Sequence, residues 1–274
     1  MFNFDYTYFE NDVILLAQYL LVVNILLWLL SLAVGKAWPV DFIWSSWPIF
    51  QLSYLLFQKK QNESSWQLIL HLIVTTLWGL RLTTNFVKRG GIGHEDWRYT
   101  DMRVQFGRGY NLISFITVFL AQSTFMFLGC LPFFSIAQCP DIPPFYTILG
   151  AIISFLGVIL EYLADQQMDT FVLLKKNKKI KKKVLSTGLW SLSRHPNYCG
   201  ELLFWWGTFL ASFHGDGGVS ISIIGPVLMS FLFFGISVNL MEERQLKNKP
   251  FEYAEYQKNV PSSIILLPSM TTLN

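Results

Sequence analysis

The chain has 274 residues and a formal net charge of only +3, with 52% hydrophobic and 14% charged residues. Soluble domains carry roughly a quarter charged residues. This balance and a mean hydropathy of +0.39 therefore exclude a soluble globular enzyme and point to an all-α, polytopic integral membrane helix bundle, with membrane lipids and no nucleic acid as partners.

Seven apolar stretches follow in chain order, at about 13–34, 39–57, 66–86, 111–135, 145–166, 196–214 and 219–240. Most are close to the roughly 20 residues needed to cross a bilayer. The second carries Pro39, Asp41 and Pro48, and the sixth is short with a polar front. The first apolar run is too long for a signal-peptide core and lacks a basic segment before it, so it is expected to stay as the first helix.

Charge orients the bundle. The segments 87–110, 167–195 and 241–274 together with Lys36 hold 18 of the 21 Lys and Arg residues. The opposite loops hold only Lys59 and Lys60, and Arg81 lies inside a span. Seven crossings put every basic segment on one side, the cytoplasm, or the matrix for a mitochondrial protein. The N-terminus, with Asp5, Glu10 and Asp12, faces the other way.

The remaining motifs are sparse. Cys130, Cys139 and Cys199 are odd in number and unpatterned, which suggests neither a disulfide framework nor a metal site. His71, His94, His195 and His214 stand singly and read as local hydrogen-bonding residues, so no metal is expected. No P-loop, GxGxxG or internal repeat is present, which argues against a Rossmann nucleotide site. The lysine run 175–183 reads as a solvated loop that anchors topology and touches anionic headgroups; a phosphate- or lipid-binding role is the alternative.

Polar groups converge on the basic side of the later spans. The run Ser193-Arg194-His195-Pro196-Asn197-Tyr198-Cys199-Gly200-Glu201 opens an apolar segment that ends Leu202-Leu203-Phe204-Trp205-Trp206. Ionisable groups at membrane depth are costly, and by default they mark function. Pro196 suits a first helical position, where its missing N–H loses nothing. Asn197 and Glu201 then share a face at i and i+4, as Glu161 and Asp165 do at the end of the fifth span. The tail adds Glu242-Glu243-Arg244, Tyr253, Tyr256 and Lys258. Arginines for phosphates, acids for ribose hydroxyls and tyrosines for stacking make a site for a polar, charged cofactor. Mutual ion pairing between helices is the competing reading.

The run from Thr187 to Glu201, followed by Trp205-Trp206-Gly207, resembles the signature of the steroid 5-alpha-reductase C-terminal-domain family, and more narrowly its DUF1295 branch. Glu161-Tyr162-Leu163-Ala164-Asp165-Gln166-Gln167, Tyr253-Ala254-Glu255-Tyr256-Gln257-Lys258 and the loop Gly91–Gly107 with Glu95-Asp96-Trp97-Arg98-Tyr99 add to the resemblance, which covers most of 38–268. It implies a single membrane domain over 1–274. The first four spans (1–144) would serve a lipid substrate, and 145–274 would bind the cofactor. It implies an NADPH-dependent oxidoreductase of lipid metabolism that acts on the CH–CH group of a sterol- or enone-like lipid. Glu161, Asp165, Asn197, Tyr198 and Glu201 would meet NADPH, with Arg194 and His195 just before them and Arg244, Tyr256 and Lys258 closing the pocket. Glu201 would also be catalytic, and Asp41 is the nearest candidate for the carboxylate that polarises the substrate carbonyl in the steroid reductases.

One departure stands out. The run Gln257-Lys258-Asn259-Val260-Pro261-Ser262 has Asn259 where the family usually has a basic residue. That bears on the grip on a cofactor phosphate and so on NADPH against NADH. Two alternatives stay open. The integral-membrane isoprenylcysteine methyltransferases share an Arg-His-Pro-x-Tyr-x-Gly-Glu signature and bind S-adenosylmethionine. A reductase-like bundle can also serve as a structural subunit with partners in a larger membrane complex. The expected compartment is the endoplasmic reticulum or another endomembrane, with the mitochondrial inner membrane as the alternative.

Overall fold

A computed structural model of the chain describes residues 6–59, 65–138, 142–213 and 221–267. Cys139, His214 and the start of the seventh expected span at 219 lie outside the described residues. Among the described residues all regular structure is helical. The helices are α1 (Tyr6–Val34), α2 (Asp41–Gln58), α3 (Trp66–Lys88), α4 (Trp97–Phe106), α5 (Tyr110–Ser114), α6 (Ala121–Gly129), α7 (Leu131–Gln138), α8 (Pro144–Lys176), α9 (Pro196–Ala211), α10 (Ile224–Phe231), α11 (Val238–Asn248) and α12 (Pro250–Asn259). Wider π-helical turns join α5 to α6 over Phe115–Leu120 and α10 to α11 over Leu232–Ser237.

Four helical stretches are long and apolar enough to cross a membrane: Glu10–Val34, Trp97–Gln138, Pro144–Lys176 and Ile221–Asn248. This is the composition of an integral membrane protein, and on α1 the exposed Ile14, Leu21, Val22, Leu26 and Leu29 suit contact with lipid chains. The three other expected crossings fall on α2, α3 and α9. Those helices are shorter, as in the 16 residues of α9, or carry polar side chains such as Gln67, His71 and Arg81 on α3. The expected span 111–135 is not one continuous helix. It contains α5, the π turn and α6, which ends at Cys130 before α7 begins.

The chain forms two compact units, residues 1–151 with 208–225, and residues 152–207 with 226–274. In the first unit α2 and α3 pack at close range. A Cβ on Gly79 would sit 2.5 Å from the Ser45 carbonyl oxygen, so the small residue sets the helix separation. Thr83 Oγ1 donates to Ser45 Oγ at 2.8 Å across the same seam, and Gln51 Nε2 donates to the Cys130 carbonyl at 3.2 Å. A cluster of Ala37, Val40, Tyr99, Val118 and Phe119 forms part of this unit's core.

In the second unit α8 and α9 run antiparallel. Ser154 Oγ donates to the Phe204 carbonyl at 2.9 Å, and a Cβ on Gly157 would lie 2.5 Å from the Gly200 carbonyl oxygen. Two glycines facing each other allow backbone-to-backbone packing that any side chain would prevent. The extended tail after α12 then crosses the loop before α9. Arg194 N donates to the Ser262 carbonyl and Leu267 N to the Leu192 carbonyl, at 3.1 and 3.0 Å.

Candidate functional site

The second unit holds most of the polar residues singled out above. α9 begins at Pro196, and the His195 carbonyl accepts from the N–H groups of Tyr198 and Cys199. Proline is suited to that position because the first N–H of a helix has no partner to lose. Gly188 precedes it at φ +63°, with the Gln167 side chain 2.6 Å from where a Cβ would be, so only glycine fits the turn. Gln167 Oε1 accepts from Leu189 N at 2.9 Å, and Trp190 Nε1 donates to the Ala164 carbonyl at 3.0 Å, which ties this turn to α8.

Arg194 is the centre of a clasp. Its Nε and Nη2 donate to the two carboxylate oxygens of Glu242 at 2.6 and 3.3 Å, and its Nη1 donates to the carbonyls of Val260 and Pro261, both at 2.7 Å. Glu242 also accepts from Gln257 Nε2 at 2.7 Å and lies 3.3 Å from His195 Nε2. Tyr256 Oη donates to the Trp190 carbonyl at 2.5 Å and lies 3.3 Å from that of Ser193. Burial pushes its phenol well above the usual range, so it stays a donor. Ser193 Oγ reaches the carbonyls of Ser263 and Ile264. Arg194 and Tyr256 thus satisfy backbone carbonyls and one acid from inside the protein.

The acids and the amide lie at the helix crossing. Glu161, Asp165 and Glu201 are all buried. The Glu161 side chain abuts Gly200, where a Cβ would collide with its Cγ. Asp165 follows one turn further along α8, next to Ala164, whose carbonyl accepts from Trp190 in the loop before α9. Asn197 Oδ1 is buried and accepts no hydrogen bond among the described residues. A sealed amide oxygen without a donor leaves a desolvation penalty of about 1–3 kcal/mol unanswered. Tyr198 stacks on His195, with centroids 5.3 Å apart and rings 9° from parallel, and leans on Phe233 at 4.9 Å. Phe233 belongs to the π turn, a helix distortion frequent at functional sites. Arg244 is half-buried on α11 and Lys258 is exposed on α12.

Asp41 belongs to the other unit. It opens α2 and accepts from Tyr99 Oη at 2.8 Å, and Gln122 Nε2 donates to the same hydroxyl at 2.9 Å. The loop around this trio is braced. Glu95 accepts from Ala37 N at 3.0 Å and from Arg103 at 2.9 Å, while Asp96 caps α4 through Arg98 N at 2.9 Å.

Sequence reading passed over Glu242 and Gln257 as site residues, and Gln122 altogether. Glu242 was detectable as the first acid after an apolar run, where a carboxylate needs a cation. Gln122 gives no such signal, because one amide in an apolar stretch has no periodic partner.

A protein-family model described as "Protein of unknown function (DUF1295)" matches residues 27–260. The chain belongs to this family. The match takes in Asp41, Tyr99, the clasp except Pro261, and the α8–α9 crossing, and stops where the extended tail begins. Among curated proteins this DUF1295 chain is 25% identical over 282 residues to an uncharacterized protein, C594.04c, of Schizosaccharomyces pombe (strain 972 / ATCC 24843), covering 93% of this chain and 80% of the relative. No solved structure matches.

Proposed function

We propose that this DUF1295 protein is a membrane-embedded, NAD(P)H-dependent reductase of a C=C bond in a sterol- or enone-like lipid. The reading includes seven crossings, with α2, α3 and α9 added to the four apolar stretches, in an endomembrane such as the endoplasmic reticulum. The observation that carries it is the hydrogen-bonded chain Gln122–Tyr99–Asp41. The Tyr99 hydroxyl has one proton, which it donates to Asp41; turned from Asp41 to a carbonyl oxygen, with Gln122 still donating to it, the hydroxyl can donate as that oxygen gains charge. Enone reduction needs such a donor, whereas methyl transfer to a sulfur or carboxylate nucleophile does not.

The second unit supports a nucleotide cofactor. Asn197 Oδ1 lacks a donor that an amide or hydroxyl of a ligand could supply, and buried Glu161, Asp165 and Glu201 suit ribose hydroxyls. A nicotinamide would supply the hydride for the β-carbon of the enone. The C=C electron pair would move onto the carbonyl oxygen, and water or a side chain would deliver the α-proton. Arg194 and Tyr256 hold the loop before α9 in shape. Arg244 and Lys258 are the tail cations assigned to a cofactor phosphate, a sparse set that leaves NADH competitive with NADPH.

A second reading rests on the same acids. With Arg194 committed to Glu242, an acid-rich crossing favours a cationic cofactor such as S-adenosylmethionine. A thermal-shift panel of the purified chain with NADPH, NADH and S-adenosylmethionine separates the two, since a ligand at a hundredfold excess over Kd adds about 2.7 kcal/mol. The reductase reading expects a shift with a nicotinamide dinucleotide and NADPH oxidation on addition of a 3-oxo-Δ4 steroid. A shift with S-adenosylmethionine alone assigns methyl transfer, and no shift with any of them assigns a structural subunit.

A further inference from the structure

The end of α8 carries positive charge that the described chain does not neutralise. Helix α8 has 33 residues, about 50 Å at 1.5 Å per residue against a hydrocarbon core of about 30 Å. Its last turns therefore reach the headgroup layer. Lys175, Lys176, Lys178, Lys179, Lys181 and Lys182 are exposed there, and none makes an ion pair among the described residues. Lys183 is paired, with Glu252 at 2.6 Å. Lys249 joins the cluster: burial first, and the nearby Lys175 second, hold its ammonium below the usual range. Glu252 offsets one of these charges, and the excess of lysines over acids calls for an anion from outside the protein.

The backbone points the same way. Lys178 has φ 54°, the one non-glycine residue with positive φ among those described. It stands just past the last turn of α8, where glycine or asparagine is the unstrained choice. A lysine kept in a strained conformation motivates a search for function. The loop is also fixed to an apolar edge. The Lys183–Glu252 pair and the packing of Val184 against Tyr253, Tyr256 and Val260 bring it beside α12. There Phe251 is 84% exposed between Lys249 and Glu252. An aromatic ring offered to solvent beside lysines suits the membrane interface, where the ring meets acyl chains and the ammonium groups meet phosphates.

We propose that the Lys175–Lys183 cluster, with Lys249 and Phe251, binds the headgroups of anionic phospholipids in the leaflet that the end of α8 reaches. The proposal is independent of the reductase reading.

The test measures binding of a fluorescent phosphatidylglycerol to the full chain in neutral detergent. At about fivefold per lysine, Lys178→Gln, Lys181→Gln and Lys182→Gln together should weaken binding on the order of a hundredfold. The corresponding Lys→Arg triple variant should restore it, and raising the salt concentration should weaken the native chain. Phe251→Ser should lower lipid affinity while leaving the melting temperature in neutral detergent unchanged. Equal binding of fluorescent phosphatidylcholine, or an unchanged affinity in the glutamine variant, overturns the proposal. Displacement by inorganic pyrophosphate but not by unlabelled phosphatidylglycerol also overturns it and assigns the cluster to free phosphates.

Discussion

Arg194 Nε donates to Glu242 Oε1 across 2.6 Å, joining the loop that opens α9 to the polar end of α11 over a separation of 48 residues. Both side chains are nearly enclosed, at 10% and 13% exposure. Removing one partner of a buried pair strands the other charge, at about 3–5 kcal/mol. Glu242→Ala should therefore lower thermal stability sharply in detergent. Glu242→Gln keeps an acceptor for Arg194 and should lose less. Equal stability of all three proteins would mean that the clasp contributes nothing to the fold.

Tyr99 places one hydroxyl between Asp41 and Gln122. In Tyr99→Phe both neighbours lose that partner, a change of about 1–3 kcal/mol in stability. On the reductase reading the variant retains its NADPH thermal shift and loses turnover of the enone. Full turnover without the hydroxyl would remove Tyr99 from the chemistry.

Gly200 faces backbone. An added methyl would meet the Gly157 carbonyl oxygen at 2.6 Å and the Glu161 side chain. Neither backbone can retreat without separating α8 from α9, so Gly200→Ala should cost at least the roughly 1–3 kcal/mol typical of overpacking. Cofactor binding should fall in parallel, because Asn197 and Glu201 ride on the same helix. A stable Gly200→Ala protein with intact ligand shifts would show that the crossing is looser than this.

Lys178→Gly relieves the left-handed strain at the end of α8, worth roughly 1 kcal/mol. The expected result is a higher melting temperature together with weaker phosphatidylglycerol binding. Opposite signs in one substitution separate strain from charge. A variant that gains stability and keeps its lipid affinity would locate the lipid contacts on the other lysines.

Tyr256 predicts a response to alkali. Its phenol titrates higher in the folded protein than the value of about 10 in an unfolded chain. The stability it contributes is present below pH about 10 and is lost as pH rises towards the folded value. Tyr256→Phe should be less stable at pH 7, and it should lack that part of the alkaline decline in a series of melting curves. Parallel curves for the two proteins would indicate that another group governs the decline.

The sequence by itself determined the membrane class, the apolar stretches, the start of α9 at Pro196 and the gathering of polar residues near 193–201. These depend on composition and local spacing, because partition into a bilayer sums over neighbouring residues and a proline's effect is confined to its own turn. Only the tertiary structure decided which polar groups meet. Asp41 and Tyr99 are 58 residues apart, and their contact depends on how helices rotate and cross, which apolar periodicity leaves free. The same limit hid the break in the stretch 111–135. Hydropathy is continuous through the π turn and Cys130, while the hydrogen-bond register that ends α6 is not. Arg194 shows the difference most directly. Its charge and position suggest a ligand for phosphate, and the folded chain supplies Glu242 and two carbonyls from the tail, because a guanidinium at that depth needs acceptors before any cofactor arrives.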